Sequence, residues 1–219
     1  MDILTERLSF WDKLSDEEQQ LVSTSVIIRS FEAQEPIHSC NKQCVGMVYV
    51  LSGDMRLFLL SDEGKEVTLL HISGNESCVL AASCVMSQIT FHSELVAAEK
   101  TELLIIPAPV LAKLMKTNIY VRCYVYETSA KLFSDVMWTM QQTLFYSVDR
   151  RLASFLITEY EKAESPELCV TQETIAQEIN SAREVVARML KKFAADNLLK
   201  NQRGKIVLLD IDRLYDMSC

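Results

Sequence analysis

Nowhere in this 219-residue chain does an apolar run approach the roughly 20 residues that a bilayer-spanning helix needs. The opening stretch MDILTERLSFWDKL carries acids and lacks the basic-then-apolar order of a secretory signal. Internal repeats and low-complexity segments are absent, so a repeat architecture is excluded. Glycine and proline are sparse, five and four residues, and neither occurs between Val110 and Glu164. The seven cysteines make an odd set, which suits a reducing compartment better than a disulfide scaffold. The expectation is a cytoplasmic protein with no membrane partner. Its 49% hydrophobic residues are enough for a well-filled core in one large domain or two small ones.

What is present changes in texture along the chain. Residues 5–24 read as helical, with Leu8, Trp11, Leu14 and Leu21 as an apolar stripe, and Ser15 followed by Glu18 has the form of a capping box. From about Val26 to Ile106, short β-rich runs (VIIRSF, GMVYVL, MRLFLL, EVTLLHI, ELLII) alternate with turn residues, and Ser61–Lys65 reads as a hairpin. Strands at this spacing predict an antiparallel barrel or jelly roll. Pro107 and Pro109 close that region. Beyond them Val121, Val125, Thr128, Leu132, Val136, Thr139, Thr143 and Tyr146 recur at four- and three-residue steps, an impure heptad expected to form a dimer seam. A second stripe, Phe133, Met137, Met140 and Leu144, is left to pack on the barrel. The alternative is one buried helix in a monomer.

The richest segment is TQETIAQEINSAREVVARMLKKF, residues 171–193. It reads as two short helices around a tight turn, with Asn180 in the turn where a left-handed backbone is expected. At about 100° per residue, Arg183, Glu184, Ala187, Arg188 and Lys191 fall in one arc of the second helix. Ala182, Val185, Val186, Met189, Leu190 and Phe193 fill the opposite arc. Such a helix can pack by one face and offer the other to a DNA major groove, where Arg grips guanine bidentately and Glu accepts from cytosine. The chain's net charge of −8 conceals a local excess: residues 181–205 carry seven Lys/Arg against two acids, net +5, leaving −13 elsewhere. A basic patch on an acidic body fits a site-limited duplex contact, although a solvated helix face is the plainer reading of any charge cluster. Gln202-Arg203-Gly204-Lys205 forms the tip of a predicted basic hairpin, a wing.

Barrel, long helix, helix-turn-helix and wing in this order resemble the Crp/Fnr family of transcription regulators. The likeness rests on Thr171, Ile175-Ala176, Arg183-Glu184, Val186, Arg188, Leu190-Lys191 and the NLL-x₄-GKIV wing, with Gly46-x₂-Tyr49-x-Leu51-x-Gly53 and Glu63-Gly64-Lys65-Glu66 in the barrel. The resemblance implies an α+β chain: a cyclic-nucleotide-binding-like sensor over 1–116, a dimerisation helix over 117–147 and a winged helix-turn-helix over 148–219. It implies Arg183, Glu184 and Arg188 as base readers, and Thr171, Lys191, Lys192, Arg203 and Lys205 as phosphate contacts. It also implies a homodimer on a palindromic duplex operator, RNA polymerase as a further partner, and no enzymatic activity. The competing readings are a scaffold that keeps the helix-turn-helix only as a partner surface, and a thiol enzyme using Cys78 or Cys84.

The sensor departs from that family. Where cyclic-nucleotide binders carry a ribose-binding carboxylate, the cassette Gly74-Asn75-Glu76-Ser77-Cys78-Val79-Leu80 has Val79, and His92-Ser93-Glu94 stands where Arg-Ser-Ala would hold the phosphate. Losing the guanidinium removes a bidentate charged contact, so cAMP is not expected to bind in the usual way. The effector pocket is expected around Glu76, Cys78, Val79, His92 and Ser93. Cys40, Cys44, Cys78 and Cys84 are candidates for an iron–sulfur cluster, another metal or a thiol switch, against the plainer reading of incidental thiols. Their spacing is not a specific ligand signature, and Cys123, Cys169 and Cys219 show no pairing pattern. The histidines at 38, 71 and 92 are more simply surface or satisfied residues than haem ligands.

Overall fold

A computed structural model describes residues 3–38, 45–80, 93–202 and 204–218. The chain divides into two compact units, Met1–Gly64 with Leu69–Met137, and Lys65–Thr68 with Trp138–Cys219. Each has its own hydrophobic core.

The first unit begins with helix α1 (Ile3–Arg7), a 3-10 turn at Trp11–Lys13 and helix α2 (Asp16–Ser25). The helical region expected over residues 5–24 is therefore divided, and α2 begins at the expected capping box. The capping box is the reason. Glu18 N–H donates to Ser15 Oγ at 3.3 Å, and Ser15 N–H donates to Glu18 Oε2 at 3.0 Å, so a new helix starts where the old one would have continued.

The described residues that follow include eight strands: β1 (Ile27–Phe31), β2 (Pro36–His38), β3 (Gly46–Ser52), β4 (Asp54–Leu60), β5 (Glu66–Ser73), β6 (Ser77–Cys78), β7 (Glu94–Ala97) and β8 (Thr101–Pro107). The five runs legible in the sequence are β1, β3, β4, β5 and β8. The three short strands carry too few residues to show a period. Together the strands form two four-stranded sheets, ordered β1-β8-β3-β6 and β2-β7-β4-β5, with antiparallel registers such as Val48↔Ile105 and Leu57↔Leu95. This is the jelly-roll form of the expectation rather than a closed barrel. Gly46 and Gly53 bracket β3 because both have positive φ, 121° and 84°, and a Cβ on Gly46 would lie 2.0 Å from the Ile106 carbonyl oxygen.

The glycine-free stretch forms three helices: α3 (Ala108–Thr117), α4 (Ile119–Phe145) and α5 (Val148–Ala163). Asn118 makes the first break. Its Oδ1 accepts from the Tyr120 and Val121 amides at 3.0 and 3.3 Å, and its Nδ2 donates to Lys13 O and Glu18 Oε2. One buried amide thus caps α4 and ties it to the start of α2. Burial alone would raise the Glu18 carboxyl, but bonds from Asn118, Ser15 and Thr117 outweigh it and hold the group below its usual range.

The two stripes on α4 take roles opposite to those expected. Val121, Val125 and Leu132 are buried in the first unit's core and Val136 packs against it. Phe133, Met137, Met140 and Leu144 are exposed, Phe133 and Leu144 at 68% each. Periodicity marks which residues share a face, not what the face meets.

The second unit holds α5, strand β9 (Glu167–Leu168), α6 (Gln172–Glu178), α7 (Arg183–Ala195), β10 (Leu199–Gln202), β11 (Lys205–Leu208) and α8 (Ile211–Ser218). Strands β10 and β11 form the expected wing, with Leu199↔Leu208 and Gln202↔Lys205 in register, and β9 adds a third strand at Ile206↔Leu168. Leu152, Leu156, Ile175, Val186, Leu190, Phe193, Leu198, Ile206 and Leu214 fill the core between them. No helix among the described residues is long and apolar enough to cross a membrane.

His38 ends β2 in a buried position, and its Nδ1 has no hydrogen-bond partner among the described residues. Burial lowers its pKa from 6.5, partly opposed by the nearby Glu94. The folded state therefore holds His38 neutral where the unfolded chain would already be protonated. Stability from this group is complete above the unfolded pKa and falls as pH drops from there towards the lowered value. The thermal midpoint should decline between about pH 7 and pH 5, and His38→Gln should flatten that slope. An unchanged slope in the variant would assign the acid sensitivity elsewhere.

Candidate nucleic-acid interface and sensor cassette

Helix α6 starts at Thr171, whose Oγ1 accepts from the Thr174 amide at 3.1 Å, and it ends in a turn where Asn180 takes the expected left-handed conformation, φ 50°. Helix α7 begins three residues later. Val186, Leu190 and Phe193 are fully buried on one side, each worth roughly 1.5–3 kcal/mol of burial. This fixes the rotation of the helix about its axis. Arg183, Glu184, Arg188, Lys191 and Lys192 all remain exposed. The Arg183 guanidinium approaches Glu173 Oε2 at 3.9 Å, a loose contact between side chains that are each more than 60% exposed, so it restrains the arginine only weakly. The arc drawn from sequence is thus presented outward, with neither arginine locked in an internal ion pair among the described residues.

The five expected phosphate contacts differ in setting. Lys191 extends from the exposed arc. Lys192 lies close enough to Asp149 to help lower that carboxyl, whose main influence is a hydrogen bond from Ser147. Lys205 pairs with Glu167 at 2.5 Å. Thr171 is occupied as the cap of α6. Arg203 lies outside the described residues.

Sequence reasoning missed Arg151 on α5. Its guanidinium donates from Nη1 to the Ile179 carbonyl and, at 3.3 Å, to the Asn180 carbonyl, both in the turn between α6 and α7. Burial lowers its pKa. In the sequence it is one arginine of the run Asp149-Arg150-Arg151, with nothing local to distinguish it from its neighbour.

In the sensor, the expected pocket residues separate. Cys78 and Val79 have no exposed surface and belong to the first unit's core, and Ser93 is buried. His92 lies outside the described residues, as do Cys40, Cys44 and Cys84. Among the described residues no group of three or more His, Cys, Asp or Glu side chains is placed to hold a metal. Glu76 faces α4 instead. Its carboxylate pairs with Lys131 at 2.6 Å, and Ser77 Oγ lies 2.8 Å from Tyr124 Oη. Tyr124 and Lys131 are seven residues apart and so share a face of α4. With His71, Asn75, Glu127 and Asp135 they line a cleft of about 370 Å³. Val79 is thus fully buried and Glu76 is paired with a lysine.

Residues 28–118 match the cyclic nucleotide-binding domain model, and residues 150–217 match the Crp-like helix-turn-helix domain model. A transcriptional regulator of the Crp/Fnr family from Eubacterium rectale is 39% identical, with a TM-score of 0.93 over 97% of this chain and 99% of its own. This chain belongs to the Crp/Fnr family. It is a transcription regulator with a DNA-binding helix-turn-helix, and not an enzyme. More distant in sequence but alike in fold are the c-di-GMP-responsive regulator CLP of Xanthomonas campestris (19% identity, TM-score 0.72, 89% of this chain and 98% of that one) and a CooA variant from Carboxydothermus hydrogenoformans (17%, 0.66, 97% and 96%). No curated protein matches the chain.

The division of labour on α7 has a direct consequence for stability. Phe193→Ala should cost about 3–5 kcal/mol in the second unit, whereas Arg183→Ala and Arg188→Ala should stay within about 0.5 kcal/mol of the native chain in a denaturant titration. Large losses from either arginine variant would mean that these side chains serve the fold.

Proposed function

We propose that this regulator reads a two-fold-symmetric duplex site as a homodimer in the cytoplasm. Arg183 and Arg188 read guanine edges and Glu184 a cytosine. The observation that carries this reading is the exposure of these three side chains on a helix whose opposite face is buried at Val186, Leu190 and Phe193. Of the phosphate contacts, Lys191 has the least competition. Thr171, Lys192, Arg203 and Lys205 add to the positioning of the duplex, Lys205 after leaving Glu167. Such contacts fix register and salt dependence without reading sequence. RNA polymerase is the further partner of the bound dimer.

The effector is a ligand or redox signal other than cAMP. Val79 in the core and Glu76 in an ion pair support this, because they leave a cyclic nucleotide without its carboxylate partner. A cluster or thiol switch at Cys40, Cys44, Cys78 and Cys84 would require Cys78 to leave the apolar core in which it packs.

The duplex reading is tested with a pool of randomised duplexes from which the native chain selects its own site. Against the selected and a scrambled duplex, Arg183→Ala and Arg188→Ala should each lose on the order of 1–3 kcal/mol of discrimination. Lys191→Ala should weaken both duplexes alike and reduce the salt slope by about 1. Added cAMP should leave the titration unmoved. Undiminished sequence preference in the double arginine variant would sink the assignment.

The dimer reading rests on the exposed stripe of α4, where Tyr126, Phe133, Met137, Met140 and Leu144 present a row of large apolar side chains. Sedimentation of the native chain should give twice the chain mass, and Phe133→Asp with Met137→Asp should give a folded single chain. A double variant that remains dimeric would place the seam elsewhere.

A further inference from the structure

Helix α7 starts without local help. Its N-cap is Ala182, and no side chain bonds to its first amides, whereas α6 has Thr171 in that role. The turn before it is short, from Ile179 to Ala182, and includes a left-handed Asn180. Ile179 N–H closes the last turn of α6 on Ile175 O at 2.9 Å, and Ser181 N–H reaches back to Ala176 O at 2.9 Å. The amides of this turn are therefore tied to α6. The carbonyls of Ile179 and Asn180 point the other way, and Arg151 takes both.

The core contacts of α7 leave its first turn unanchored. Val186 is the first fully buried side chain on the helix, so the anchored face begins a turn after Arg183. Rotation about the axis is fixed from Val186 onward, and the direction of the first turn is set by the turn before it. The Asn180 side chain holds that turn on one side, accepting from the Thr68 amide at 2.8 Å and donating to the Thr68 carbonyl at 2.9 Å, while the backbone carbonyls of Ile179 and Asn180 are held separately by Arg151. A guanidinium is well suited to fixing that direction. It is planar, permanently charged and able to grip two carbonyls from one side, which an ammonium cannot match in geometry. Arg151 comes from α5, whose Leu152, Ala153, Leu156 and Ile157 are buried in the same core as α7. It thus refers the turn to a rigid neighbour.

We propose that Arg151 is a positioning residue for sequence reading. By clamping the Ile179 and Asn180 carbonyls it sets the direction of the first turn of α7, and with it the placement of Arg183 and Glu184 against the bases. Arg151 itself touches no DNA. The inference rests on the duplex-reading function proposed above and deepens it. Bidentate contacts tolerate little misplacement, so loosening the turn costs base discrimination before it costs general affinity. Phosphate contacts tolerate more, because they act as point charges at the rim.

The experiment compares Arg151→Ala, Arg151→Lys and the native full-length chain on the selected duplex and its scrambled counterpart. Fluorescence anisotropy is read at a temperature where circular dichroism shows each protein folded. Arg151→Ala should weaken binding to the selected duplex by about tenfold, the loss of one charged hydrogen-bonded contact. Its binding to the scrambled duplex should stay within about twofold, because no phosphate contact has been removed. Arg151→Lys should recover part of the loss, since it restores the charge and one donor. Combining Arg151→Ala with Arg183→Ala should cost less than the two separate losses together, because a misplaced Arg183 has less left to lose. Equal weakening on both duplexes, or none on either, overturns the positioning role. Should Arg151→Ala fail to fold, Arg151→Lys carries the same comparison: a smaller but selective loss supports the proposal, and native-like discrimination overturns it. A native chain that selects no duplex overturns the regulator reading and this inference with it. Selection by the native chain with unselective Arg151 variants overturns only the inference.

Discussion

The burial of Val186, Leu190 and Phe193 against α5, α6 and the β9–β11 sheet is the constraint on which the reading of this molecule depends. An α-helix with one side committed to a core cannot rotate, so the residues on its other side are presented in a fixed order. Two arginines and a glutamate are held on the exposed side because three apolar neighbours remove the freedom to turn away. The capped start of α6 and the left-handed Asn180 serve the same end, since they determine where the second helix can begin.

The sensor unit is organised around a different contact. Its cassette strand β6 is tied to α4 by the Ser77–Tyr124 hydrogen bond and the Glu76–Lys131 pair, one heptad apart on the helix. The polar side chains of Glu76 and Ser77 are turned towards α4, while Cys78 and Val79 pack in the core. The unit keeps the architecture of a cyclic nucleotide-binding domain, with Cys78 and Val79 packed in its core and Glu76 paired with Lys131.

Much of the fold could be read along the chain, and the reasons are local. The Ser15–Glu18 box, the hairpin at Ser61–Lys65, the αL position of Asn180 and the wing tip at Gly204 each depend on a few adjacent residues and their backbone preferences. The exposed charged arc was legible because Arg183, Glu184 and Arg188 lie within six residues on one helix. The settings of the residues expected to meet phosphates were less so. Lys205 and Lys192 meet acids that come from other elements, Glu167 on β9 and Asp149 on α5, and no spacing within residues 171–205 could reveal those partners.

The amino-acid sequence by itself determined which residues share a face, where helices begin and end, and which helix carries the charged arc, because these follow from backbone geometry over a turn or two. Tertiary structure alone decided which of the two α4 stripes is buried. Both have heptad spacing, and only the shape of the surface beneath the helix distinguishes them. It decided likewise that Glu76 answers Lys131, and that Arg151, rather than Arg150, meets the turn carbonyls. Those contacts join residues 28 to 55 positions apart, and their partners exist only once the strands and helices between them have packed.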